Sequence, residues 1–250
     1  MSLEGSIAVV TGSASGIGRA CAVRLAQDGA DVALLDVDEA GLGETAEAVR
    51  SAGRRSLPVT VDLLDRAAVG DAFARIRRDL GAVTILHNNA GGSLRKDIRT
   101  FRRSDADQWD YMLGLNLRQA SDCTRHVIED MIATSYGRII NTSSEMAFRT
   151  NFGMTDYSTA KAGLLGFTRS LARELAQYGI TVNAVCPGAT RTPLAEGLPE
   201  AHLAKTLSEI PLGRLGEPEE IAHAVSFFAS PGASYVTGEY LLVTGGRTMH

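Results

Sequence analysis

An aliphatic run, Ile7 to Val10, passes directly into the glycine-spaced turn TGSASGIG, Thr11 to Gly18, which in turn opens the helical pattern RACAVRLAQDGA. A strand, a glycine turn and a helix in immediate succession leave few folds open. Gly12 suits the tight turn, Gly16 removes a side chain where backbone must approach a pyrophosphate, and Gly18 lets the helix pack closely on its strand. The helix start presents unpaired N–H groups and the positive end of a dipole to the phosphates. A second aliphatic run, DVALL, ends at Asp36, at about the spacing expected of the carboxylate that accepts ribose hydroxyls.

The same alternation continues along the chain. Strands are expected near Ser6 to Val10, Asp31 to Leu35, Leu57 to Val61, Thr84 to His87, Arg138 to Asn141, Thr181 to Cys186 and Tyr240 to Val243, with helices between them. Apolar strands alternating with helices predict an α/β fold, a Rossmann-type doubly wound parallel sheet of about seven strands with helices on both faces. With 250 residues, 44% of them hydrophobic, a single domain spanning 1–250 is expected, and its 26 glycines suit many strand-to-helix turns. Ligands in such sheets bind beyond the carboxyl ends of the strands, where TGSASGIG, Asp36, Asp62, NNAG, Ser144 and CPG would all gather.

Tyr157 and Lys161 stand four apart, so a helix would put them on one face, and Ser144 closes the run GRIINTSS upstream. A free tyrosine titrates near ~10, and a nearby cation favours the phenolate, which can take a proton from an alcohol. Ser144 could steady the substrate oxygen.

TGSASGIG, Asp62, NNAG from Asn88 to Gly91, Asn116 in GLNLRQ, Ser144, YSTAK from Tyr157 to Lys161, NAVCPG from Asn183 to Gly188, and Thr192 follow one another in a familiar order. From about Ser6 to its C-terminus the chain resembles the short-chain dehydrogenase/reductase family. That resemblance implies an enzyme moving hydride between a nicotinamide cofactor and a secondary alcohol or ketone. It assigns Tyr157 as general acid/base and Lys161 as the residue that lowers its pKa and bonds the nicotinamide ribose. Ser144, chosen over Ser143, holds the substrate oxygen, and Asn116, whose helix is locally opened, holds a water that links Lys161 to solvent in a proton relay. The implied cofactor contacts are Gly12, Ser15, Gly16, Ile17, Gly18, Asp36, Asp62, Leu63, Asn89, Ala90, Gly91, Tyr157, Lys161, Pro187, Gly188, Thr190 and Thr192. Asp36, with no compensating cation at Ser15, Val37 or Asp38, points to NAD over NADP. The family also implies a homotetramer of D₂ symmetry, paired through segments 105–135 and 157–178. One departure is Thr244, where the family often has an Asp before its Gly-Gly pair.

A net charge of −4 gives no broad attraction to nucleic acid or an acidic membrane. Cys21, Cys123 and Cys186 are widely spaced in apolar surroundings and read as small core residues; no metal site is expected from them or from the scattered histidines. Without a basic-plus-apolar leader or an 18-residue apolar stretch, the expected location is the cytosol. Trp109 should pack, and Glu219 and Glu220 should form a helix first turn. The substrate pocket falls to loops, above all 193–213. Five cations in SLRKDIRTFRRSD, namely Arg95, Lys96, Arg99, Arg102 and Arg103, with Arg149 nearby, suit an anionic substrate, or else a solvated loop paired with Asp97, Asp105 and Asp107. An NADP-linked ketoreductase of the acyl-carrier type and an inactive cofactor-binding regulator stand as alternatives.

Overall fold

Along each central strand successive side chains point to opposite faces of the sheet, and here both directions are apolar. In β1 (Ile7–Thr11), Ala8 and Val10 belong to one buried cluster while Val9 belongs to the other. The first cluster joins the sheet to α1 (Gly16–Gln27), α2 (Glu39–Ser51) and the helix Pro218–Ala229, through Leu25, Leu42, Val49, Ile221 and Phe228. The second joins it to α3 (Arg66–Asp79) and to the helices of the central region, through Phe73, Ile76, Cys123, Met131 and Leu175. Each fully buried aliphatic side chain contributes about 1.5–3 kcal/mol, so covering both faces is the main stabilising term. All three cysteines are buried and free, as expected of small core residues.

The computed structural model describes residues 2–93, 100–193 and 200–249. Its seven parallel strands lie in the order β3-β2-β1-β4-β5-β6-β7. After β1 come β2 (Asp31–Asp36), β3 (Ser56–Thr60), β4 (Ile85–Asn88), β5 (Gly137–Thr142), β6 (Ile180–Pro187) and β7 (Tyr240–Val243). Every expected strand is present within a residue or two of its expected ends. Pro58, which cannot donate to a ladder, sits in the edge strand β3. Because β4 returns to the free side of β1, the strand order reverses between them. The crevice of a doubly wound sheet lies at such a reversal.

The long segment 105–135 is broken, with the local opening that the family resemblance implied falling at Asn116. It comprises α4 (Ala106–Leu113), a π turn over Gly114–Arg118, α5 (Gln119–Arg125) and α6 (Ile128–Thr134). Beyond β5 lie a single 3₁₀ turn, Glu145–Ala147, and then α7 (Thr155–Leu175), the longest helix described. Trp109 packs edge-on against Phe101 at 5.7 Å. At the start of the helix Pro218–Ala229, the Glu220 carboxylate accepts from the Glu217 N–H at 2.8 Å, confirming the reading of that acidic pair as a helix first turn.

Candidate active site

Two loops meet at the strand reversal, and a side chain ties them together. The Asn89 amide donates to the carbonyls of Thr11 (3.0 Å) and Gly12 (3.1 Å), while the Thr11 hydroxyl accepts from the N–H groups of Asn89 (2.9 Å) and Ala90 (3.0 Å). Glycine is required where these backbones touch. A Cβ on Gly18 would lie 1.9 Å from the Gly12 carbonyl oxygen, and one on Gly12 (φ +65°) would lie 2.8 Å from the Ala90 Cα. Gly16, at φ +52°, faces the Thr192 side chain, its would-be Cβ 3.2 Å from Thr192 Cγ2, so the loop after β6 comes against the phosphate-type turn. Ser15 makes no side-chain cap to α1, which leaves the first N–H groups of that helix without a side-chain partner. Ile17 packs on the core and Leu63 is buried in it, so only the backbone of Leu63 is placed to serve a ligand.

Asp36 closes β2 on the same edge. Its carboxylate accepts from the N–H groups of Ala14 (2.9 Å), Val37 (2.7 Å) and Asp38 (3.2 Å). Asp62 is exposed after β3 and accepts from the Leu64 N–H at 2.9 Å. The last loop is pinned through Gly188, whose N–H donates to the Val243 carbonyl at 2.9 Å, and through the Thr190 hydroxyl, 3.1 Å from the Gly188 carbonyl. These residues fit a dinucleotide: a glycine cradle that any Cβ would fill, a helix start lacking a side-chain cap, and a carboxylate at the end of β2.

The second half of the site is built around Lys161. Only 3% exposed on α7, its ammonium donates to the Thr142 carbonyl at the end of β5, 2.8 Å away, and lies 5.7 Å from the Tyr157 ring centroid. Burial pushes its pKa down to about 8. Burial likewise raises the Tyr157 phenol above its ordinary value; the Ser144 hydrogen bond opposes this and the Glu145 carboxylate adds to it. The expectation that Lys161 lowers the phenol is not met: desolvation is the largest influence and Tyr157 stands above its ordinary value. Ser144, not Ser143, is the serine that acts to lower the Tyr157 phenol; the Ser143 hydroxyl donates to the Lys161 carbonyl at 2.8 Å.

Asn116 sits in the π turn, fully buried. Its amide donates to the carbonyls of Gly92 and Met112, both at 3.1 Å, and its oxygen accepts from the Gly92 N–H at 2.9 Å. Such single π turns commonly redirect a functional side chain. Gly91 fits between, since a Cβ there would lie 2.6 Å from Asn116 Oδ1 and 3.1 Å from Lys161 Nζ.

Several residues in or next to the site were not singled out by sequence reasoning. His87, fully buried and pushed down to about 3 by burial, places Nε2 2.8 Å from the Thr142 hydroxyl. Arg247 donates to Glu145 (2.8 Å) and Glu209 (2.6 Å), and Arg149 to the same Glu209 oxygen (2.9 Å). These guanidinium groups, Arg247 first, hold Glu209 down to about 2. No short-range signal joins residues so far apart in sequence. Arg149, expected as a substrate contact, is thus engaged by a carboxylate. Arg102 and Arg103 are exposed, while Arg95, Lys96, Arg99 and Asp97, like residues 194–199 of the substrate loop, lie outside the described residues. A cleft of about 710 Å³ flanks the site, walled by Phe101, Met146, Ala147 and Phe152 among others. Among the described residues no group of His, Cys, Asp and Glu could hold a metal ion, and no helix is long and apolar enough to cross a membrane.

A family model described as enoyl-(acyl carrier protein) reductase matches residues 12–248. The chain belongs to the short-chain dehydrogenase/reductase family. It is 41% identical to the 3-oxoacyl-[acyl-carrier-protein] reductase FabG of Vibrio harveyi, with all of both chains covered. It is 40% identical to the (2S)-[(R)-hydroxy(phenyl)methyl]succinyl-CoA dehydrogenase subunit BbsD of Thauera aromatica, covering 100% of this chain and 99% of that one. Among solved structures, levodione reductase superposes with a TM-score of 0.92 at 31% identity, covering 98% of each chain. The protein is accordingly an oxidoreductase of a family that binds a nicotinamide cofactor.

Replacing Asn116 with Leu strips the Gly92 N–H and carbonyl of their partner inside the fold. The expected cost is about 1–3 kcal/mol of stability, read as a lower urea midpoint at unchanged slope. An unchanged midpoint would mean that the amide does not hold the π turn.

Proposed function

We propose that this protein interconverts a secondary alcohol and a ketone with NAD(H), using Tyr157 as general acid/base. The observation that carries the cofactor choice is the Asp36 carboxylate, held by three backbone N–H groups at the end of β2 with no basic residue at Ser15, Val37 or Asp38. The Gly12–Gly18 turn would receive the pyrophosphate, Asp36 the adenosine ribose, and Lys161 the nicotinamide ribose; Asp62, Leu63, Asn89–Gly91, Pro187, Gly188, Thr190 and Thr192 would complete the cradle. Bound nicotinamide supplies the hydride chemistry. Ser144 then polarises the substrate oxygen and Tyr157 gives or takes its proton. With the phenol raised by burial, its protonated form dominates at neutral pH, which favours proton donation to a ketone; alcohol oxidation gains as pH rises toward the phenol pKa. Lys161 and Asn116 supply the route by which that proton exchanges with solvent.

A second reading is an NADP-linked ketoreductase of the acyl-carrier type. It is favoured by the 41% identity to a 3-oxoacyl-[acyl-carrier-protein] reductase over the whole chain. The names of that relative and of the Thauera aromatica subunit both place the reacting group on an acyl thioester. The apolar wall of Phe101, Met146 and Phe152 suits an acyl chain, and the exposed Arg102 and Arg103 suit the phosphates of a thioester carrier. In that form the anionic-substrate expectation joins either reading. We also propose the homotetramer that the family resemblance implies.

Three measurements test these readings. Dissociation constants should favour NAD over NADP at least about tenfold, equivalent to roughly 1.4 kcal/mol from like-charge repulsion at Asp36. Equal or tighter NADP binding would hand the case to the second reading. On a panel of secondary alcohols, hydroxy acids and 3-hydroxyacyl thioesters, Tyr157→Phe should lower kcat by ~10²–10⁴-fold with NAD affinity kept. Retention of more than about a hundredth of the rate removes Tyr157 from the proton-transfer role. Light scattering should return a mass near four chains, and a value near the 26.5 kDa of one chain refutes the tetramer.

A further inference from the structure

The carboxylate next to Ser144 is buried, charged and partnered from the far end of the chain. Glu145 is only 3% exposed, and its two oxygens are taken by Arg247 at 2.8 Å and by the Thr248 hydroxyl at 3.1 Å. Arg247, its side chain 8% exposed, is in turn shared with Glu209, which also binds Arg149. The C-terminal segment that delivers Arg247 is itself closed locally: the Arg247 N–H donates to the Thr244 carbonyl at 3.2 Å, and the Thr244 hydroxyl donates to the Thr248 carbonyl at 3.0 Å. Thr244, the position that departs from the family pattern, thus builds the turn that presents the guanidinium. Glu145 begins the 3₁₀ turn that the Ser144 hydroxyl caps, accepting from the Met146 N–H at 3.1 Å. Glu145 and Ser144 thus share one turn, and both act on the Tyr157 phenol.

We propose that Arg247 is a positioning residue for the proton-transfer pair: by pairing with Glu145 it holds the Ser144 turn in place and screens the Glu145 carboxylate from Tyr157. The charged groups beside the phenol are Glu145 from the 3₁₀ turn and Lys161 from α7; Cys186 from β6 acts on Lys161, and Asp156, next to Tyr157 in α7, accepts from the Tyr157 backbone N–H. Behind Glu145 stand Arg247 from the C-terminal segment, then Glu209 and Arg149. The Glu145 carboxylate already acts to raise the phenol, second to burial among the raising influences. Without Arg247 its charge would act at close to full strength in a poorly solvated place, where Coulomb interactions are least screened. Without Glu145 the influence would vanish.

This inference shares the Tyr157 assignment with the proposed function, yet its test needs neither cofactor nor substrate. The full chain is labelled with tyrosine carrying ¹³C at Cζ, Tyr157→Phe assigns the resonance among the six tyrosines, and the signal is followed on raising the pH. Glu145→Gln should move the Tyr157 titration down by roughly one unit, and Arg247→Met should move it up by a similar amount or beyond the alkaline range. Arg247→Lys should stay near the parent, and Glu145→Gln combined with Arg247→Met should return it to the parent value or below. Should Arg247→Met fail to fold, Glu145→Gln and Arg247→Lys still decide. A Tyr157 titration that Glu145→Gln leaves in place, or that it shifts in the same direction as Arg247→Met, overturns the proposal. Failure here leaves the acid/base assignment intact, whereas an active Tyr157→Phe would remove that assignment without touching these titrations.

Discussion

A buried ammonium is the constraint around which this site is arranged. An uncompensated cation in the interior costs several kcal/mol, so Lys161 requires an acceptor, and the Thr142 carbonyl supplies it at 2.8 Å. That carbonyl is available only because β5 ends there. The strand end is in turn secured by His87 and Asn89, through their contacts with the Thr142 hydroxyl. Gly91 lacks a side chain where Lys161 and Asn116 converge, and the π turn carries Asn116 inward to meet Gly92. The ammonium thus links the carboxyl ends of two neighbouring strands to the helix that bears Tyr157.

A second linkage joins this centre to the nucleotide side. Asn89 bonds the glycine turn after β1 and also lies 3.5 Å from the Thr142 hydroxyl. The cradle suited to a dinucleotide and the proton-transfer residues are therefore parts of one hydrogen-bonded assembly. The contact of Gly18 with the Gly12 carbonyl sets how closely α1 approaches β1, and with it where the helix start lies. On the substrate side the character changes. Phe101 and Phe152 are 66% and 77% exposed, forming an apolar approach to a polar centre. An acyl substrate would cover such surface and leave its carbonyl for Ser144.

Electrostatics within the centre run against the simplest view of a tyrosine beside a lysine. Desolvation acts on both groups, raising one and lowering the other, so at neutral pH the phenol is protonated and the ammonium is poised near its own pKa of about 8. Glu145 adds a negative charge on the same side, and Arg247 with Glu209 and Arg149 completes an alternating chain of charges from the loop after β5 to the C-terminus. A pair of residues four apart on a helix is thus only the visible part of a six-residue charge system.

The strands were legible because each is an unbroken apolar run closed by a turn, and the parallel doubly wound sheet followed from the helix between each pair. Ser144, Tyr157 and Lys161 were legible because they lie within one strand-end-to-helix segment, where local geometry decides who meets whom. Asp36 was legible for the same reason, as the residue at which a strand stops. The family resemblance implied a local opening of the helix at Asn116, but not the division of segment 105–135 into three helices: that π turn is stabilised by what Asn116 reaches in a distant loop, and propensity contains no such information. The partners of Glu145, His87 and Arg149 were not legible either. Glu145 and Arg247 are brought together by the parallel order that sets β7 beside β6 and β6 beside β5, so that two strand ends far apart in sequence share one edge. By itself the sequence determined which segments are strands and which residue types stand at their ends. Only the tertiary structure decided which buried charges face one another, because that depends on strand order and on the desolvation that packing imposes.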